Sequence, residues 1–91
     1  MMSIQVKTNL SNAELAKMGV MNWPIWQKEA SSFNWFYDVT ETCYLLEGEV
    51  EVITDKGESV LIKAGDLVVF PEGLHCKWHI KTAVRKHYKF G

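Results

Sequence analysis

The sequence predicts an all-β fold, a small sandwich or barrel carrying one short N-terminal helix, in a single domain of 91 residues. Two observations predict it. From Trp23 onward, short β-branched and aromatic runs are punctuated at regular intervals by Gly48, Lys56-Gly57, Ala64-Gly65-Asp66 and Pro71-Glu72-Gly73, the spacing of turns between short strands. Within the runs, apolar and polar residues alternate, as they do when one sheet face is buried. A chain of this length buries only about 60–65% of the surface that it exposes when unfolded. Dense packing or a partner must therefore stabilise it, and four Trp, four Phe and three Tyr supply rings for that packing.

In chain order, Ser11-Asn12-Ala13-Glu14 is a capping box that starts a helix of about two turns. Leu15 and Met18 give that helix an apolar side, and Gly19 stops it. Strands are then expected near residues 24–26, 33–38, 42–46, 49–54, 59–63, 67–70, 75–81 and 84–90. Residues 1–32 thus form a helix-bearing arm and residues 33–90 the body of the domain.

Charge and cysteine usage exclude several function classes. Ten Lys and Arg against eleven Asp and Glu leave a net charge of −1, too little to attract a nucleic-acid backbone or an anionic membrane. No acid follows Glu72, whereas Lys77, Lys81, Arg85, Lys86, Lys89 and all three histidines do, which predicts a basic, solvated edge on the last strands. Cys43 and Cys76 are too few for a disulfide scaffold or a structural zinc site and are expected to be free thiols. Residues 1–10 contain no apolar run suited to a signal peptide or a membrane span, so a cytoplasmic location is expected.

Alternation assigns side chains to faces. Leu74, Cys76, Trp78 and Ile80 share an inward face, while His75, Lys77, His79 and Lys81 face out. His75 and His79 then stand about 13 Å apart on the polar side, too far for one metal ion. Phe33, Trp35 and Tyr37 share the inward side of their strand. In the last strand Val84, Lys86, Tyr88 and Phe90 point one way, and Arg85, His87 and Lys89 point the polar way. Lys86 on an apolar face either snorkels past the rim or meets a carboxylate inside.

Two segments resemble the paired signatures of the cupins, small jelly-roll barrels. Gly65-Asp66-Leu67-Val68-Val69-Phe70-Pro71-Glu72-Gly73-Leu74 is similar to the second signature, and Glu41-Thr42-Cys43-Tyr44-Leu45-Leu46-Glu47-Gly48 to the latter half of the first. Trp23-Pro24-Ile25-Trp26, Cys76-Lys77-Trp78 and Val84-Arg85-Lys86-His87-Tyr88 further resemble the one-domain cupin_3 group, also called the ureidoglycine aminohydrolase-like cupin domain. The resemblance implies a single jelly-roll barrel. In metal-binding cupins the signatures supply three histidines and a glutamate; here those positions carry Trp35, Tyr37, Glu41 and Cys76. No functional metal or other cofactor is therefore expected.

The inward set implies an apolar pocket holding a few polar groups. Glu41 is the candidate acid or base, since desolvation among rings disfavours its ionised form unless Lys86 pairs with it. Tyr37 is a candidate hydrogen-bond donor and Cys76 a candidate nucleophile, although a thiol among apolar neighbours stays protonated. Trp35, Cys43, Trp78 and Lys86 are the candidate substrate-binding residues. Trp23 and Trp26 are expected to cover one barrel mouth, act as a lid or form the interface of a homodimer. Two functions follow: an enzyme-like barrel binding a small polar metabolite, or a non-catalytic ligand-binding or accessory barrel.

Overall fold

A computed structural model describes residues 3–91. The elements run β1 (Gln5–Lys7), α1 (Asn12–Met18), β2 (Ile25–Lys28), β3 (Ser31–Phe36), β4 (Glu41–Thr54), β5 (Ser59–Lys63), β6 (Leu67–Phe70) and β7 (His75–Phe90). A single 3-10 turn at Val20–Asn22 links α1 to β2. Helix α1 starts as its capping box requires: Glu14 N–H donates to Ser11 Oγ at 3.1 Å, and Ser11 N–H to Glu14 Oε1 at 3.3 Å. Gly19, at φ +73°, ends it. The buried apolar side is narrower than expected, because Met18 is exposed and only Leu15 and, beyond the helix, Val20 are buried.

All seven strands pair antiparallel in one sheet. Its spine is β4 paired with β7, from Glu41 opposite Phe90 to Thr54 opposite Cys76. The four shorter strands expected at 42–46, 49–54, 75–81 and 84–90 are thus two long ones. On its other edge, β4 takes β6 along its first half and β5 along its second. The free edge of β7 takes β3 along residues 75–80 and β2 along residues 84–87. β1, which the short polar N-terminal sequence does not announce, pairs with β6.

Between Leu45 and Val50 the β4–β7 register slips through bulges. Before the slip the buried residues of β4 are Glu41, Cys43 and Leu45; after it they are Val50 and Val52. The inward face therefore changes from odd to even positions along one strand, an outcome that simple alternation does not contain. In β7 no such change occurs, and Cys76, Trp78, Ile80, Val84 and Lys86 are all buried on one side.

Alternation puts His87 on the polar, solvated face of the last strand, but it is buried. The outer face of β7 is covered at that point by the chain entering β2: Ile25 pairs with His87, and the His87 Nδ1 lies 2.8 Å from the Trp23 carbonyl oxygen. No helix among the described residues is long and apolar enough to cross a membrane.

Candidate functional site

The inward face of β7, flanked along its edge by β2 and β3, lines a half-open cavity of about 180 Å³. Its deep part is formed by Tyr37, Glu41, Trp78 and Lys86, each at most 5% exposed. Trp35 and Phe90, 48% and 60% exposed, stand at its mouth. Trp26, Phe33 and Tyr88 complete the walls. The rings support one another, with Phe33 stacked on Trp78 at 6.1 Å and Trp26 edge-on to Trp78 at 6.0 Å. Such pairs add about 0.5–1.5 kcal/mol each beyond the area that they bury.

Lys86 does not snorkel. Its Nζ donates to Glu41 Oε2 at 2.7 Å, and the two side chains are 7% and 5% exposed. The register alone does not bring them together: Leu45 is opposite Lys86 and Glu41 is opposite Phe90, four residues or about 13 Å away along the strand, so the two long side chains meet by reaching towards each other along the shared buried face. The ammonium also sits 5.0 Å from the Trp26 ring centre and 4.7 Å from that of Trp78. One carboxylate and two ring faces thus compensate for its lost hydration. Glu41 lines the cavity, and its Oε1 has no hydrogen-bond partner and is not fully buried, since no fully buried side-chain oxygen among the described residues lacks one.

Tyr37 accepts a hydrogen bond from Trp78 Nε1 at 3.1 Å, which leaves its own O–H as a donor. Burial, reinforced by the Glu41 charge, raises the phenol far above its ordinary value, so it remains protonated. The site therefore holds one ammonium, one carboxylate and one phenol whose O–H is free to donate.

The two thiols do not join this cavity. Cys43 is fully buried between the strands that carry Val68 and Tyr88, and Cys76 borders a separate, open groove with Asn34, Phe36 and Lys77. Both are free. Burial pushes the Cys43 thiol up to about 12 and the Cys76 thiol up to about 11, with the Lys86 ammonium partly opposing the rise at Cys43. Neither is an activated nucleophile. His75 and His79 are exposed on the outer face, where His79 Nδ1 meets Ser32 Oγ at 2.7 Å.

These raised values predict alkaline instability. A folded thiol that holds its proton while the unfolded thiol has lost it contributes stability below the unfolded value of 9.0, and that stability is lost as pH rises towards 12. Between about pH 8 and about pH 10, wild-type protein is expected to lose about 1 kcal/mol more than Cys43→Ala, read from urea denaturation midpoints. Equal losses in the two proteins would show that Cys43 ionises as easily folded as unfolded.

Trp26 is the lining residue least visible in the sequence, where its position suggested a cover, lid or subunit interface. It reaches the site because it pairs directly with Lys86 across β2 and β7, a register that no local pattern encodes.

The donor set does not fit a metal ion. Of the positions that carry ligands in metal-binding cupins, Trp35 has no ligating atom and Tyr37 Oη is bonded to Trp78. Glu41 is bound to an ammonium, and Cys76 borders another groove. Among the described residues, no three His, Cys, Asp or Glu side chains form a group able to hold one.

A jelly-roll barrel with an aromatic cavity and a buried ion pair defines a small cupin-type barrel. The chain belongs to the EutQ-like cupin domain family, whose model matches residues 15–88. A DUF861 family protein from Thermotoga maritima is 46% identical, with a TM-score of 0.94, covering 98% of this chain and 100% of that one. A putative ethanolamine utilization protein Q from Salmonella typhimurium is 32% identical over 72% of this chain, with a TM-score of 0.66. The match spans only 53% of that longer protein. A DUF861 family protein from Pseudomonas syringae is 28% identical over 74% of this chain and 29% of its own, with a TM-score of 0.67. No curated protein matches the chain significantly.

Proposed function

We propose that the protein is a metal-independent small-molecule barrel whose ligand has a compact apolar body and a carbonyl or carboxylate oxygen. The observation that carries this reading is the Lys86–Glu41 pair, 2.7 Å long, on the wall of an aromatic cavity. Lys86 has three N–H donors and gives one to Glu41, while Tyr37 adds an O–H. Lys86 and Tyr37 both offer protons to the cavity, so an oxygen acceptor suits them, and a second cation would be repelled by the Lys86 ammonium. The volume supports a small ligand, because a cavity of about 150 Å³ accepts benzene.

A thermal-shift series tests the reading with cyclohexanone, phenylacetone, benzoate and benzylamine, each with and without a chelator. Ketone or carboxylate at ten times its Kd should add about 1.4 kcal/mol, or roughly 6–11 °C in Tm for a domain of this size. Benzylamine should add nothing, and the chelator should leave the response unchanged. If no oxygen-bearing compound raises Tm, the ligand reading fails and the accessory-barrel alternative gains. A response that vanishes with chelator would instead restore a metal to the site.

A further inference from the structure

The three polar groups of the cavity, taken together, select a reaction as well as a ligand, an inference that rests on the small-molecule reading above. The Lys86 ammonium is held by Glu41 Oε2 and by the faces of Trp26 and Trp78, so its position is set before any ligand enters. Two acceptors bonded to one ammonium lie about 4.5 Å apart. A carbonyl oxygen that bonds to Lys86 beside Glu41 therefore brings its adjacent carbon within reach of that carboxylate. Tyr37 lines the same cavity and has its O–H to give.

We propose that this site enolises a small ketone or aldehyde, with Glu41 as the base and with Lys86 and Tyr37 as the donors that hold the developing enolate oxygen. Glu41 removes a proton from the carbon next to the carbonyl. The C–H electron pair forms the carbon–carbon double bond, and the carbonyl pair moves to oxygen. Returning the proton from Glu41 to that carbon restores the ketone, so no oxidant, reductant or metal is consumed.

Charge conservation makes the step feasible in a desolvated cavity. Before it, the negative charge is on Glu41 beside Lys86. After it, Glu41 is neutral and the charge is on the enolate oxygen beside the same ammonium. One unit of charge moves around a fixed cation, and none has to enter or leave the apolar space. Burial keeps Tyr37 in its donor form throughout.

The test follows loss of the protons next to the carbonyl of phenylacetone and cyclohexanone in D₂O by proton NMR, with the full chain. Exchange should exceed that in buffer. It should fall on the order of 10²–10⁴-fold in Glu41→Gln and about 10²–10³-fold in Tyr37→Phe. Glu41→Asp keeps the charge but withdraws the carboxylate, and serves if Glu41→Gln does not fold. Thermal shift with the same ketones separates the two claims. Binding without exchange above buffer, or exchange that persists in a folded Glu41 variant, overturns the enolisation and leaves the binding reading intact. If neither ketone binds, both claims fail for carbonyl compounds.

Discussion

Lys86→Ala is expected to destabilise the protein by about 3–5 kcal/mol, because it leaves the Glu41 carboxylate buried without its cation. It also removes the ammonium that sits 5.0 and 4.7 Å from the Trp26 and Trp78 ring centres. A domain of this size has a total stability of roughly 5–13 kcal/mol, so the variant should lose from about a quarter of it to all of it. The paired change Glu41→Leu with Lys86→Met should behave differently. It removes both charges, leaves no buried polar group without a partner and roughly keeps the volume, and replacements of this kind range from neutral to stabilising by about 1–4 kcal/mol. Urea denaturation of the single and double variants reads the difference. If Lys86→Ala alone costs less than about 1 kcal/mol, the pair is solvated as a surface pair would be, and the description of the cavity is wrong. If the double variant is as stable as wild type, the ion pair does not exist for stability. Its place in the cavity then has to be explained by what it does to a ligand.

How far the sequence carries such an argument depends on whether a feature is local. Strands β5 and β6 begin and end where the sequence places them, because Gly57, Gly65 and the Pro71-Glu72-Gly73 turn mark their ends. The capping box of α1 is equally local. The placing of Tyr37, Glu41 and Trp78 on one inward side was also legible, from alternation and the cupin spacing. What was not legible depends on pairing between distant segments. Whether Lys86 turns inward to Glu41, whether Trp26 joins the wall and whether His87 is covered are all decided by the β4–β7 and β2–β7 registers. Cys76 shows the limit of alternation. It lies on the buried side of β7, as expected, but two residues from Trp78 it has already passed beyond the cavity to the neighbouring groove.

Gly48→Ala should be the most damaging single methyl that can be added to β4. In sequence Gly48 reads as a turn between two strands; in the fold it is the crossing point of one bent strand, at φ +101°. A Cβ there would stand 2.5 Å from the Ala83 carbonyl oxygen and 2.7 Å from the Val84 Cα, both backbone atoms that no side-chain rotation can move away. Overpacking of this kind costs about 1–3 kcal/mol, and the left-handed backbone adds about 1–2 kcal/mol. The sum corresponds to a fall in Tm of at least about 8 °C at 4–8 °C per kcal/mol. Gly57→Ala is the control, since Gly57 also has positive φ, +84°, but a Cβ there meets nothing within 4 Å. It should show the backbone cost alone. Equal losses in the two variants would mean that β4 and β7 can part at Gly48 without penalty. The functional consequence follows from position. Gly48 is where the inward face of β4 changes from Glu41, Cys43 and Leu45 to Val50 and Val52, and it presses on Val84, two residues before Lys86. Pushing β7 away at Val84 should therefore draw Lys86 off Glu41, so that any variant that still folds loses its response to ketones along with its stability.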